Sequence, residues 1–214
     1  NKKKMSSLRI GDEAPNFQAA TSNGDIDFHK YIEGKWAILC SHPKDFTPVC
    51  TTEVLQVAKR SLDWKSRNTL PLVVSVDTAD EHKAWVKDIN EWGNVCIDFP
   101  IVEDCKRTIS EQYGMLDQTN INGQGLPMTV RAVYFIAPDK KIKCIIVYPA
   151  TTGRNFDELI RVLDSLQLTY NKALATPANW KKGQDCIISP KLSEQVAKEK
   201  YPNFQTLSKT CKIR

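Results

Sequence analysis

Apolar positions come in short blocks along the first three quarters of the chain, and the blocks alternate between strand-like runs and helical spacing. Trp36-Ala37-Ile38-Leu39-Cys40, shortly after Gly34, is an unbroken apolar run of the kind expected for a strand buried on both faces. Pro48 then offers a first helical position, and Val54, Val57, Ala58 and Leu62 follow at i, i+3, i+4 and i+8, one face of a helix. A second buried strand is predicted over 71–76, and a helix over 80–92 with Trp85, Ile89 and Trp92 on one side. Ile101-Val102 reads as a brief strand and 109–113 as part of another helix. Two further runs, 132–136 and 143–148, flank the turn Ala137-Pro138-Asp139-Lys140 and predict a hairpin. The last amphipathic helix spans 156–168, with Leu159, Ile160, Leu163 and Leu166 inward.

The resulting order, β-α-β-α-β-α-β-β-α, describes an α/β sheet that ends in an antiparallel hairpin, compatible with a thioredoxin-like fold. It assigns residues 5–169 to one domain. Beyond it the texture changes. Thr176-Pro177-Ala178-Asn179-Trp180-Lys181-Lys182-Gly183 is turn-rich, and Ser193 can cap a short helix through Lys200. Residues 170–214 hold too few large apolar side chains for a core of their own, so they are expected to form an arm packed on the main domain or on a second subunit.

Composition narrows the class. With 41% hydrophobic and 26% charged residues, the chain is neither collagen-like nor coiled-coil nor disordered. No apolar run approaches the ~20 residues of a membrane helix, and Asn1-Lys2-Lys3-Lys4, ahead of Met5, leads into polar residues and not into the apolar segment of a secretory signal. The net charge of +5 is concentrated late, with nine Lys/Arg against three Asp/Glu from residue 170 onward. Neither an aromatic-interleaved basic motif nor a Gly-rich phosphate loop accompanies it, so the basic tail reads as solvated surface and no nucleic-acid partner is expected. Seven cysteines stand at 40, 50, 96, 105, 144, 186 and 211, an odd number without framework spacing. There is no Cys-x-x-Cys and no Cys/His cluster at zinc spacing, which points to reduced thiols in a cytoplasmic protein with no metal and no cofactor.

The segment richest in chemistry is Ser41-His42-Pro43-Lys44-Asp45-Phe46-Thr47-Pro48-Val49-Cys50-Thr51-Thr52-Glu53, which leaves a buried strand and opens a helix. Cys50 falls in the first helical turn, where unpaired backbone N–H groups and the positive end of the dipole favour a thiolate. Thr47 lies one turn earlier, in reach of an oxygen held against the sulfur. Pro43 and Pro48 stiffen the loop and remove competing donors. Spacing alone leaves two readings of Cys50 open, a reactive thiol or a buried cysteine at a helix start.

Pro43-x-x-x-Thr47-x-x-Cys50, within Pro-Val-Cys-Thr-Thr-Glu, resembles the active-site signature of the peroxiredoxins. Tyr148-Pro149-Ala150-Thr151-Thr152-Gly153-Arg154-Asn155, with His42-Pro43, is similar to the one-cysteine (peroxiredoxin 6-type) class, and the similarity runs from Gly11-Asp12-Glu13-Ala14-Pro15-Asn16-Phe17 into the C-terminal arm. The resemblance implies a thiol-dependent peroxidase acting on H2O2 and organic hydroperoxides. In it Cys50 would be the peroxidatic nucleophile, Thr47 would hydrogen-bond the peroxide, and Pro43 would shield the sulfur from water. Arg131 would hold the thiolate, Glu53 and Arg154 would steady that arginine, and His42 would line the pocket. It also implies a homodimer, with residues 170–214 as a dimerisation arm.

Two departures sharpen the expectation. Two-cysteine peroxiredoxins carry a resolving cysteine where this chain has Thr176, so an external thiol, from glutathione or a thioredoxin system, is expected to reduce the oxidised protein. Cys186 and Cys211 are the alternative resolving thiols. Some members of the one-cysteine class also carry a phospholipase activity assigned to a serine in Gly-x-Ser-x-Gly. Here Glu33-Gly34-Lys35-Trp36-Ala37 occupies that stretch, with Lys35 replacing the serine, so His29 and Asp139 have no nucleophile to serve.

Overall fold

The structure, a computed structural model, describes residues 8–208 and 211–213, so Asn1–Lys4, Met5 and the side chain of Cys211 lie outside the described residues. Packing divides the chain into two compact units, the first ending at Arg154 and the second beginning at Asn155.

The first unit runs through β1 (Gln18–Ala19), β2 (Ile26–Asp27), α1 (Phe28–Tyr31), β3 (Trp36–Ser41), α2 (Pro48–Lys59), α3 (Ser61–Ser66) and β4 (Thr69–Ser75). It continues through α4 (Ala79–Gly93), β5 (Ile101–Glu103), α5 (Thr108–Gln112), β6 (Leu116–Ile121), β7 (Pro127–Thr129), β8 (Arg131–Ile136) and β9 (Ile142–Tyr148). Five of the strands form the main sheet in the order β5-β4-β3-β8-β9. β3 and β4 run parallel, as do β4 and β5, whereas β8 is antiparallel to β3 and to β9. All six residues of β3 are buried, which is why its sequence is apolar without alternation. Ala37, Leu39, Leu72, Val74, Ala132, Tyr134 and Ile136 pack with Phe28, Tyr113 and Met115 into one core cluster.

Two helix faces differ from the periodicity. α2 stops at Lys59, Arg60 leaves helical geometry, and α3 restarts one residue later. The restart buries Trp64, whose indole N–H donates to the Val57 carbonyl (2.9 Å), and leaves Leu62 79% exposed. A buried indole removes far more apolar surface from water than a leucine, so the larger side chain decides the rotation. In α4 the buried stripe is Ala79, His82, Trp85 and Ile89, and Trp92 is exposed. Thr78 and Glu81 close a reciprocal capping box at the start of that helix.

The second unit contains α6 (Phe156–Thr169), β10 (Leu174–Ala175), β11 (Ile187–Ile188), α7 (Glu194–Lys200), β12 (Gln205–Ser208) and β13 (Cys211–Ile213). Its strands form an antiparallel sheet in the order β10-β11-β13-β12. Ser193 caps α7 by accepting from Val196 N–H. The expectation that this segment has no core is corrected. Ile188, Ala197 and Tyr201 are buried together, with Leu174, Leu192 and Phe204 packed around them. Leu174 comes from β10, Ile188 from β11 and Ala197 from α7, so no single local period marks the cluster, and it forms only where sheet and helix pack together. α6 groups with this unit, whereas the change of texture set the division after 169. Among the described residues no helix is long and apolar enough to cross a membrane.

Candidate active site

β3 carries the chain out of the core into the loop before α2. Phe46 in that loop has φ +56°, a left-handed conformation that costs a non-glycine residue on the order of 1–3 kcal/mol. Thr47 is the extended N-cap of α2 and Pro48 its first residue, which places Cys50 in the first turn, fully buried. The Thr47 hydroxyl donates to the Lys44 carbonyl (2.8 Å), so its oxygen lone pairs are the part that can accept a proton from a peroxide. Pro43, earlier in the same loop, is buried.

Arg131, the first residue of β8, extends Nη1 to 3.3 Å from Cys50 Sγ. Three further bonds fix that guanidinium: Nη1 to Glu53 Oε2 (2.7 Å), and Nε and Nη2 to the Ala150 carbonyl (2.9 and 2.5 Å). Glu53, one helical turn after Cys50, also accepts from Arg154: from its backbone N–H (2.8 Å), from Nε (3.0 Å) and from Nη2 (2.7 Å). Arg154 Nη1 donates to the Ser41 and Ala132 carbonyls (3.0 and 3.1 Å). Burial would raise the Glu53 carboxyl, but the field and hydrogen bonds of Arg154, then the field of Arg131, hold it below the usual carboxylate range. Two guanidiniums against one carboxylate leave one positive charge over, and a negative sulfur at Cys50 brings the buried sum to zero. Cys40, also buried, has its thiol pushed up to about 11 by burial, which keeps it neutral and fits its reading as a core residue.

A second buried polar cluster lies in the same loop. His42 does not bond the sulfur. Its Nε2 meets Asp45 Oδ1 at 2.6 Å, and its ring centroid lies 5.0 Å from that of Trp85. Asp45 Oδ2 meets His82 Nδ1 at 2.6 Å, and the Asp45 backbone N–H donates to Asp77 Oδ2 (2.9 Å). Ser75 Oγ bonds Asp77 (2.8 Å) and Asp45 (3.3 Å). Ligand-type atoms of His42, Asp45 and Asp77 lie within 4.8 Å of one another, but both Asp45 oxygens are already engaged by histidines, so the cluster acts as a hydrogen-bond network. Sequence reasoning quoted Asp45 without giving it a role, and missed His82, Ser75 and Asp77 altogether. The one available signal was a histidine at the inward-facing position three residues before Trp85 in an amphipathic helix.

At the position of the missing resolving cysteine, the Thr176 hydroxyl is 2.7 Å from the hydroxyl of Ser165, within the second unit. Cys186 is buried there, with Sγ 3.7 Å from the Gln184 carbonyl. In the first unit Lys35 is exposed, His29 Nε2 lies 2.7 Å from the Ala14 carbonyl, and Asp139 pairs with Lys143 at 2.7 Å.

Residues 10–145 match the AhpC/TSA family, and residues 165–203 match the C-terminal domain of 1-Cys peroxiredoxin. Peroxiredoxin-6 of Rattus norvegicus is 47% identical over 199 residues, covering 91% of this chain and 89% of the relative. The structure of a cysteine-to-serine mutant of peroxiredoxin 6 of Arenicola marina aligns with a TM-score of 0.90 at 42% identity, over 93% of this chain and 91% of that one. A yeast mitochondrial 1-Cys peroxiredoxin, solved to explain its thiol resolving mechanism via glutathione/thioredoxin systems, also gives 0.90 at 42% identity, over 96% and 98%. With a buried cysteine at a helix start, an arginine on its sulfur and these relatives along nearly its whole length, the chain belongs to the AhpC/TSA family, in the one-cysteine class of the peroxiredoxins, the thiol-dependent peroxidases.

Proposed function

We propose that Cys50 is the peroxidatic nucleophile of this peroxidase, and the observation that carries the assignment is the 3.3 Å contact from Arg131 Nη1 to its sulfur at the first turn of α2. The Cys50 thiolate attacks one oxygen of H2O2 or an organic hydroperoxide. The S–O bond forms as the O–O bond breaks, the departing oxygen takes a proton and leaves as water or alcohol, and Cys50 becomes a sulfenic acid. Arg131 stabilises both the thiolate and the charge growing on the departing oxygen, and a guanidinium cannot lose its proton to become a competing base. Glu53 and Arg154 hold Arg131 in place, Thr47 accepts from the peroxide O–H, and buried Pro43 keeps water from the sulfur. His42 shapes the loop between Pro43 and Thr47.

An external thiol completes the cycle. It condenses with the sulfenic acid to a mixed disulfide with loss of water, and a second thiol releases Cys50. Thr176 in place of a resolving cysteine supports this order, and the yeast relative makes glutathione and thioredoxin systems the reductants to test. We also propose a homodimer in the cytoplasm, residues 5–169 as the peroxidase domain and residues 170–214 as the dimerisation arm. No metal, cofactor, nucleic acid, integral membrane contact or serine-dependent lipase activity enters this reading.

The test is stopped-flow oxidation of the reduced protein by H2O2, followed by intact mass and peptide mapping. One fast thiol per chain, trapped by dimedone at Cys50, supports the assignment. Slow oxidation spread over several cysteines overturns it, as does peroxide turnover that survives Cys50→Ser. Analytical ultracentrifugation of the full chain tests the dimer.

A further inference from the structure

The Asp45 network carries an inference beyond this assignment, although it rests on the peroxidase reading. The Val102 carbonyl, 3.2 Å from His82 Nε2, can only accept, so Nε2 carries a proton. One more proton lies in the 2.6 Å bond between His82 Nδ1 and Asp45 Oδ2. It rests on the nitrogen or on the oxygen. Asp45 receives too many donors to keep it: His42 Nε2 and Ser75 Oγ both reach Oδ1. The two histidines outweigh burial and hold its carboxyl far below the ordinary range. Asp77 shifts the opposite way. Its carboxyl is raised, chiefly by burial, and it receives the Asp45 backbone N–H. The charged or titratable groups around His82 are thus Asp45 from the loop, with His42 and Asp77 behind it, and Glu81 from its own helix.

We infer that Asp45 is a positioning residue for the peroxidatic reaction: a buried carboxylate that holds His82 as an imidazolium and His42 as the neutral Nε2–H tautomer, and so ties the loop carrying Pro43 and Thr47 to α4 and β4. The negative carboxylate and the positive imidazolium cancel, which lets both stay buried. Charge-assisted bonds at both oxygens, with the Asp45 N–H on Asp77, over-determine the backbone just before the left-handed Phe46. His42 is gripped at three points: N–H on the Val74 carbonyl (3.1 Å), carbonyl on Thr129 Oγ1 (2.5 Å) and Nε2 on Asp45. Among the described residues its buried Nδ1 has no hydrogen-bond partner, which an unprotonated ring nitrogen bears at less cost than an N–H would. Asp45 touches no reacting atom and acts through the geometry of the loop.

The chain has three histidines, so the test is direct. In 15N-histidine-labelled full-length protein at neutral pH, with signals assigned by His29→Gln and His82→Gln, His82 shows two protonated ring nitrogens and His42 shows only Nε2 protonated. Asp45→Asn, which can donate one N–H to His82 Nδ1, converts His82 to the neutral ring. Asp45→Ala slows oxidation of Cys50 by H2O2 by about 10- to 100-fold, the size of a misplacement of about 1 Å, while reduction of the sulfenic acid by dithiothreitol keeps its rate. A neutral His82 in the unaltered protein overturns the inference even if the variants fail to fold, and so does an Asp45→Ala protein that oxidises at the original rate. Slow, unselective oxidation of the unaltered protein instead removes the peroxidase reading itself.

Discussion

Two buried ionic clusters meet at the loop before α2, and they are built from different chemistry. Around the sulfur, Arg131, Glu53 and Arg154 form a cluster whose two cations cannot deprotonate under any physiological condition. Around Asp45, two histidines, two aspartates and a serine form a cluster whose members can all exchange or share protons. The first leaves a positive charge unspent and points it at Cys50. The second pairs its groups with one another and spends its bonds on backbone geometry. A peroxidase needs both, because a thiolate reacts quickly with peroxide only where the O–O bond is polarised and also aligned.

Breaking the first cluster has the largest expected effect. Arg131→Ala removes the donor nearest the sulfur, and oxidation of Cys50 should fall by about 10²–10³-fold, with iodoacetamide alkylation at neutral pH slowed alongside. An unchanged alkylation rate would remove Arg131 from its role. Glu53→Gln attacks the same cluster from its anion. It leaves two buried guanidiniums without a counter-charge and should cost about 3–5 kcal/mol in urea unfolding, against little change for an exposed pair such as Lys65–Asp98.

Acid separates the clusters by sign. The Glu53 and Asp45 carboxyls lie below their ordinary values in the folded protein. The stability they supply is therefore full above about pH 4 and lost as pH falls through their folded values. Asp77 is raised by burial and works the other way, adding stability in acid that disappears as pH rises through its folded value. Urea midpoints should decline below about pH 4, and Asp45→Asn should flatten that decline. An equally steep decline in the variant would leave the Asp45 cluster out of acid unfolding.

The smallest effect is expected at Cys40. Its thiol, kept neutral by burial, lies within the field of Arg154 and has no place in the proposed reaction, so Cys40→Ala should keep the oxidation rate and cost about 1 kcal/mol. Cys186→Ser should likewise preserve turnover with dithiothreitol. If turnover is lost while the first oxidation persists, Cys186 is a resolving thiol and the one-cysteine reading fails.

Much of this was legible in one dimension. The strands at β3, β4 and β5, the β8–β9 hairpin and the helices α2, α4 and α6 announce themselves by apolar runs or by helical spacing. Pro48 and the extended residue before it mark where the reactive turn begins. The resemblance pointed to Arg131, Glu53 and Arg154; in the structure Arg131 reaches Cys50, Glu53 bonds Arg131, and Arg154 bonds Glu53. Leu62 and Trp92 misled because a period predicts a face but not the residue at which that face ends. The small sheet of the second unit stayed hidden because strands of two to four residues are too short to show alternation.

Local sequence by itself determined the strands of the main sheet, the helices α2, α4 and α6, and the placement of a cysteine at a helix start. These depend on neighbours within a turn or two, where backbone preference and side-chain spacing act directly. Tertiary structure alone decided which charges share a burial site. Glu53 meets Arg154 across 101 residues, and Asp45 meets His82 across 37. No local pattern encodes such pairs, because a buried charge is tolerated only where the fold delivers its partner at hydrogen-bond distance.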